Sequence, residues 1–428
     1  MTGTPELLPG TGPLNGCRVL ELGTTGAGPF CARLLADFGA EVVKVEDKEG
    51  DPIRWMGKSF AGKSLYAASI LRNKKLVSID LRHPVGQQLI QQLVQKFDIV
   101  VENFRPGTLE RWNLGYEDLR KWRPDLVMVR ISGFGQSGPY RDRPGYGVIC
   151  EAMSGLRHIT GDPATPPGRV AIPLTDYITA VYSAFATSMA LLVRDKSGQG
   201  QVIDAALYEC ALSFMEPHIP AFEKTGWVAT RVGSRLPDAT PNNLYTTKDN
   251  EFIHITAITN RLFTRLTRAM GQPQLAEDPR FLSQVLRTKY EDELDDLIAR
   301  WAGSLPLEEI EKRLHQAEVP ASRIYSMSDI FADPHVRARG MLVEAPDDDL
   351  GTITVAGVVP KMSATPGKFA GRGDESARIQ GKCCAQMQHS VIPRLTLLSA
   401  KEWSIRTRGA TSEIFEEKRN ERGVVEDL

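Results

Sequence analysis

The chemistry of this chain is read most directly from Pro173-Leu-Thr-Asp176-Tyr177. A carboxylate there can act as a covalent nucleophile toward a carbonyl carbon. It can equally do no more than accept hydrogen bonds from the free N–H groups of a helix start. Local sequence leaves both readings open. Gly23-Thr-Thr-Gly26-Ala-Gly28-Pro29 is a glycine-rich turn feeding a helix, where backbone N–H groups can approach a phosphate or carboxylate closely. Its spacing is not GxGxxG, which argues against a dinucleotide site. Gly133-Phe134-Gly135-Gln136-Ser-Gly-Pro-Tyr140 is too rich in glycine for helix or strand and reads as a loop folded over a site, with Gly145-Tyr146-Gly147 close behind it.

The elements that must position these residues follow from the hydrophobic pattern. Ile178, Val181, Tyr182, Phe185, Met189 and Leu192 have the spacing of a helix that buries one face and begins at or beside Asp176. Residues 17–22 and 41–46 read as strands flanking a helix from Phe30 to Phe38, a βαβ unit that implies a parallel sheet. A second unit runs through strand 76–81, a helix from Pro84 to about Lys96 and strand 98–102, with Asn103, Phe104 and Arg111 just beyond its end, where open α/β sheets bind ligands. Strands 126–132 and 201–206 complete the pattern. Beyond Ala221 the periodicity loosens. A hairpin over 244–256 and helical patterns at 262–270, 290–302 and 307–317 make a small helix-rich unit, and Gly351–Gly357 is a strand that could rejoin a sheet.

Composition bounds the remaining possibilities. The 428 residues are 42% hydrophobic and 25% charged, as expected of a soluble chain with two domains, and 52 Lys+Arg against 53 Asp+Glu leave no global field for nucleic acid or an anionic membrane. The six cysteines show no metal-ligand spacing, so no structural metal is expected and a reducing, cytoplasmic setting is. The apolar run Ala180 to Val193 falls short of the roughly 20 residues that span a bilayer. Met1 to Pro13 has no Arg and no apolar core and does not read as a targeting peptide.

Read together, Leu14-Asn-Gly-Cys-Arg-Val-Leu-Glu-Leu22, Gly28-Pro29, Gly39-Ala-Glu-Val-Val-Lys-Val-Glu46, Asn73-Lys74-Lys75, Val101-Glu-Asn-Phe104-Arg-Pro-Gly107, Ser132-Gly-Phe-Gly-Gln-Ser-Gly-Pro139 and Asp176 resemble the family III CoA-transferases, relatives of which include formyl-CoA and carnitine-CoA transferases and α-methylacyl-CoA racemases. The resemblance runs from about residue 14 to about residue 368. It implies an α/β fold with a large Rossmann-like domain over 14–220, built on a parallel sheet, and a smaller α+β domain over 221–330. Residues 331–370 would return to the large domain, each subunit being an open ring in an interlocked homodimer.

It further implies that Asp176 attacks an acyl-CoA thioester and passes CoA, through a covalent aspartyl intermediate, to a carboxylic acid. Coenzyme A thioester is then a substrate, and no permanently bound cofactor is expected. CoA contacts are implied at Thr25, Gly26, Ala27, Ile79, Arg82, Asn103, Phe104 and Arg111, and substrate-loop roles at Phe134, Gly135, Gln136 and Tyr146. The donor suggested by analogy is a dicarboxylyl-CoA such as succinyl-CoA.

Several positions depart from the family's pattern. Asp47 stands where a basic residue often contacts the adenine end, and Gly26 and Ala257-Ile-Thr-Asn260 replace a glutamine and a run of glycines of formyl-CoA transferases, which argues against formate and oxalate. Racemases of the family pair the aspartate with a histidine at the position of Tyr146, and a phenol is a poor base at neutral pH, so transfer is favoured over racemisation. A non-catalytic relative is the third reading, and the retained Asp176 argues against it. Residues 371–428 lose periodicity, replace the family's closing segment and are expected to be a poorly ordered tail.

Overall fold

The computed structural model describes residues 12–347, 349–369 and 371; the expectations for the tail, Cys383 and Cys384 included, and for the first 11 residues lie outside them. Six strands form the central sheet: β1 (Arg18–Glu21), β2 (Glu41–Glu46), β3 (Lys74–Ser78), β4 (Ile99–Glu102), β5 (Val127–Ser132) and β6 (Val202–Ala206). Every neighbouring pair is parallel. The spatial order is β3-β2-β1-β4-β5-β6, so the direction of winding reverses between β1 and β4. That reversal opens a crevice beyond the carboxyl ends of these two strands, the usual ligand position in such sheets. The inner strands β1, β2, β4 and β5 are short, rich in Val and buried on both sides, as parallel strands covered by helices must be, whereas the edge strands β3 and β6 are partly exposed.

Helix α1 (Ala27–Asp37) follows β1, α2 (Pro84–Val94) precedes β4, α3 (Gly147–Met153) follows the loop after β5, and α4 (Leu174–Ser197) leads to β6. α4 begins two residues ahead of Asp176, at Leu174, and ends at Gly198, whose φ of 70° suits a left-handed C-terminal residue. Its buried face differs from the one expected. Thr175, Thr179, Ala180, Ser183, Thr187, Ala190 and Leu191 are buried, whereas Val181, Tyr182, Phe185, Met189 and Leu192 are exposed. Small side chains let α4 lie close along α1, which offers Ala27, Ala32 and Ala36 to the same core. The hydroxyls of Thr179 and Thr187 donate to carbonyls one turn back, which makes them tolerable inside. At 24 residues with a mean hydropathy of 1.3 over its best window, α4 also exceeds the bilayer-spanning length that its apolar run seemed to miss.

A second core forms around β7 (Asn242–Thr246), β8 (Phe252–Thr256), the helices α5 (Asn260–Ala269), α6 (Glu291–Ala302) and α7 (Leu307–Gln316), and β9 (Ala321–Arg323). Its three strands are antiparallel with β8 central. The strand expected near Gly351 does not rejoin a larger sheet: β10 (Leu342–Asp347) and β11 (Gly351–Ala356) pair only with each other.

Candidate active site

Asp176 lies in the first turn of α4, and no side chain caps this helix, so capping does not account for the residue. Its half-buried carboxylate is wedged between two glycines from different loops. A Cβ added at Gly26 would lie 2.8 Å from Asp176 Oδ1, and one at Gly147 would lie 2.0 Å from Oδ2. Burial pushes its carboxyl up to about 6, while its own backbone N–H and that of Ala27 pull the other way by favouring the anion. A carboxylate so placed is ionised at neutral pH yet thinly solvated, with N–H dipoles beside the position where an oxyanion would develop.

The turn that carries Gly26 is held from several sides. Asn103, just beyond β4, clamps Thr24 reciprocally, its Oδ1 accepting from the Thr24 N–H at 2.7 Å and its Nδ2 donating to the Thr24 carbonyl at 2.8 Å. Glycine is needed here for space, because Cβ atoms at Gly23 and Gly28 would lie 2.8 and 3.2 Å from the Asn103 side chain. Thr25 has a φ of +66°, an uncommon strain for a β-branched residue. Its N–H donates to the buried Asp51 carboxylate at 2.9 Å.

The loop after β5 is closed at its neck by Gly133 and Gly145, whose backbones pack so tightly that a Cβ on either would lie 2.8 Å from the other's Cα. Inside it Phe134 is buried against Tyr208 and Tyr140, Gly135 takes a φ of +88°, and the Gln136 N–H donates to Asp204. Tyr146 precedes α3 with 74% of its surface exposed, and His158 is exposed as well.

The structure thus brings Gly26 and Ala27 against Asp176, in a turn that also carries Thr25 and is clamped by Asn103. The remaining CoA candidates follow β3, at the sheet edge, and β4, inside it. Ile79 is buried just past the edge strand β3, and Arg82 is exposed and paired with Asp47 at 2.6 Å. Phe104 packs edge-on against Trp112, and exposed Arg111 donates to Thr108 Oγ1. Ala257–Asn260 is fixed rather than loose: buried Arg287 donates to the Ile258 carbonyl and to Asn260 Oδ1, and Thr259 caps α5.

Sequence reasoning missed three groups here. Tyr66 accepts from the Tyr177 hydroxyl at 2.9 Å, and its phenol is raised by burial, by that bond and by the nearby charges of Tyr177 and Asp176. Cys150 is pushed up to about 11 by burial and by Asp176. Glu21, Lys44, Asp51 and Lys74 form a buried ionic cluster under the glycine turn. A signal for the last existed, since Lys44 interrupts the apolar run Val42-Val43 and Val45 of a strand buried over residues 42–46.

A doubly wound sheet that lodges a half-buried carboxylate at its switch point, against two glycine turns, is the scaffold of an α/β enzyme suited to group transfer. The chain belongs to CoA-transferase family III, whose sequence model matches residues 14–373, and it is a CoA-transferase. It is 48% identical to a succinyl-CoA–D-citramalate CoA-transferase of Chloroflexus aurantiacus, over 83% of this chain and 89% of that protein. It is 40% identical to the β subunit of a succinyl-CoA–L-malate CoA-transferase of the same organism, over 87% and 92%. Among solved structures, a CaiB/BaiF family protein from Brucella suis aligns with a TM-score of 0.76 at 31% identity, covering 85% of this chain and 96% of that one.

Proposed function

We propose that the chain moves CoA from succinyl-CoA to a second dicarboxylate, of the citramalate or malate type, through Asp176. The observation that carries the mechanism is the Asp176 carboxylate held between Gly26 and Gly147 with the Ala27 amide beside it. The substrate class rests on likeness to the citramalate, malate and glutarate transferases.

An Asp176 oxygen attacks the thioester carbonyl carbon, the C–S bond breaks, and the CoA thiolate leaves an aspartyl–acyl anhydride. The thiolate then attacks the Asp176 carbonyl of that anhydride. The donor acid departs as a carboxylate and an aspartyl-CoA thioester remains. The acceptor carboxylate repeats the sequence in reverse and regenerates Asp176. All carboxyl groups exchanged are of similar energy, so the sequence is nearly balanced without ATP or metal. Thr25, Gly26, Ala27, Ile79, Arg82, Asn103, Phe104 and Arg111 are the proposed CoA contacts, with Phe134, Gly135, Gln136 and Tyr146 on the acyl side. The tyrosine at position 146, where racemases of the family carry a histidine, supports transfer over racemisation.

We place the working enzyme in the cytoplasm as a homodimer. The four described cysteines are free thiols, and the apolar stripe of α4, with Phe185 and Leu192 each 61% exposed, is a surface that a second copy would cover. One relative is an αβ subunit pair, so the size and composition of the assembly are part of the test.

A panel of CoA donors and acids run on wild type and Asp176→Asn tests the reading. Wild type should transfer CoA from succinyl-CoA and, without acceptor, carry a hydroxylamine-sensitive adduct on the Asp176 peptide. The variant should lose several orders of magnitude in turnover. Near-normal transfer by the variant would sink it.

A further inference from the structure

We infer that the buried cluster Glu21, Lys44, Asp51 and Lys74 is a positioning device that holds the strained Thr25 backbone, and through it the Ala27 amide, against Asp176. This rests on Asp176 being the reacting carboxylate.

The four side chains are almost wholly buried and their charges cancel. Lys44 Nζ uses its three donors on Glu21 Oε1 at 2.9 Å, Asp51 Oδ2 at 2.7 Å and the Gly23 carbonyl at 2.7 Å. Lys74 Nζ reaches Glu21 Oε2 at 2.7 Å and the Pro29 carbonyl at 2.6 Å. Asp51 accepts from the N–H groups of Thr25 and Ile53. The cluster therefore grips the glycine turn at residues 23, 25 and 29, on both sides of Gly26 and Ala27.

A cluster serving stability alone has no reason to converge on one turn, since replacing buried ion pairs by apolar side chains is often neutral or stabilising. Charge here does what an apolar core lacks the means to do: it fixes carbonyl and amide directions in a turn with no side chains of its own. The strain at Thr25 is the second observation. A threonine at a φ of +66° relaxes toward extended backbone unless its amide is held, and relaxation would withdraw Ala27 from Asp176. Glycine at that position would hold the same conformation without an anchor.

The test is a double-mutant cycle: Asp51→Ala and Asp51→Asn, each alone and combined with Thr25→Gly. Every chain is melted and assayed for transfer from succinyl-CoA between about pH 5 and about pH 8. Asp51→Ala should lower kcat roughly 100-fold, with little change in KM for succinyl-CoA, and should move the acid limb of the profile upward because Asp176 loses an amide donor. Asp51→Asn, which keeps an acceptor oxygen, should lose less. In the Thr25→Gly background, measured against Thr25→Gly alone, the added loss from Asp51→Ala should largely vanish. Equal losses in both backgrounds, or an unmoved acid limb, would overturn the inference.

Should Asp51→Ala not fold, the Asp51→Asn pair decides by the same comparison. A readout free of activity separates the two claims. The pH dependence of the melting difference between each chain and its Asp176→Asn counterpart gives the protonation midpoint of Asp176. A midpoint that rises in the Asp51 variants, in a protein that transfers no CoA, supports positioning and rejects the transferase reading. An unmoved midpoint in an active enzyme rejects positioning.

Discussion

At the scale of single residues, the charge on Asp176 opposes the fold that displays it. Its carboxyl is lifted from 3.8 to about 6, so the native chain binds that proton more tightly than the unfolded chain does. Ionisation consequently costs stability, increasingly as pH rises from 3.8 to about 6 and in full above that. Asp176→Asn is isosteric and uncharged, and should melt higher than wild type at neutral pH, by about 1–3 kcal/mol, with the difference fading under acid. Calorimetry across pH checks the sign, and kcat/KM of wild type should fall as pH drops through about 6. The place of Asp176 at a helix start was legible in the sequence because proline and helix pattern converge on it. The Lys44 cluster was not, although Glu21, Lys44 and Lys74 all lie within recognised motifs. Sequence spacing does not reveal which strands neighbour each other, and the cluster exists only because β2 lies between β1 and β3.

Two elements decide how closely backbone and carboxylate meet, and neither contact was visible from periodicity. α3 starts at Gly147, where an added methyl would meet Asp176 Oδ2 at 2.0 Å. The obstructing atom ends a side chain with a free χ angle, so Gly147→Ala should fold with a melting temperature near wild type while displacing the carboxylate. A loss of roughly 100-fold in kcat is expected from such a displacement, and steady-state kinetics beside a thermal melt reads both halves. α4 shows what an apolar stripe does and does not say. The spacing of Val181, Tyr182, Phe185, Met189 and Leu192 correctly marks a helix, but among the described residues nothing buries that stripe, and the core takes the Ala, Ser and Thr face instead. Phe185→Asp with Leu192→Asp should therefore leave the subunit core intact and disrupt association. Light scattering should find wild type at twice 47.3 kDa and the variant shifted toward one subunit or aggregated. A wild-type mass of one subunit would remove the homodimer from the proposal.

On the scale of the whole molecule, the chain leaves the large sheet after β6 and builds a second core, and the segment that comes back is fastened by a buried cluster around Asp37. Arg72, wholly buried, pairs with Asp37 through Nε at 3.0 Å and Nη2 at 2.6 Å while Nη1 donates to the Ala356 carbonyl. Asn73 Nδ2 donates to Asp37 and to the Lys368 carbonyl, and the Lys368 N–H donates to the Asp37 carbonyl. The Asn73 N–H reaches the Gly371 carbonyl, so the fastening extends three residues beyond Lys368. The motif Asn73-Lys74-Lys75 thus has separate tasks on adjacent residues, with Asn73 facing the returning segment and Lys74 facing the glycine turn.

The family resemblance implied that residues 331–370 return to the large domain, but named no anchor, because Asp37 and Lys368 are brought together only by the fold. Two opposite outcomes follow. A stop after Gly371 keeps the whole fastening and every candidate site residue, and the family match itself ends at residue 373, so CoA transfer and melting temperature should stay close to those of the full chain. Arg72→Met leaves Asp37 with the Arg33 ion pair and Asn73 only and frees the Ala356 carbonyl. Removing one partner of a buried pair costs about 3–5 kcal/mol, so this variant should melt many degrees lower and expose residues 357–371 to limited proteolysis before the rest of the chain. If the shortened chain were inactive while Arg72→Met melted like wild type, the return would be held by residues beyond 371 and not by this clamp.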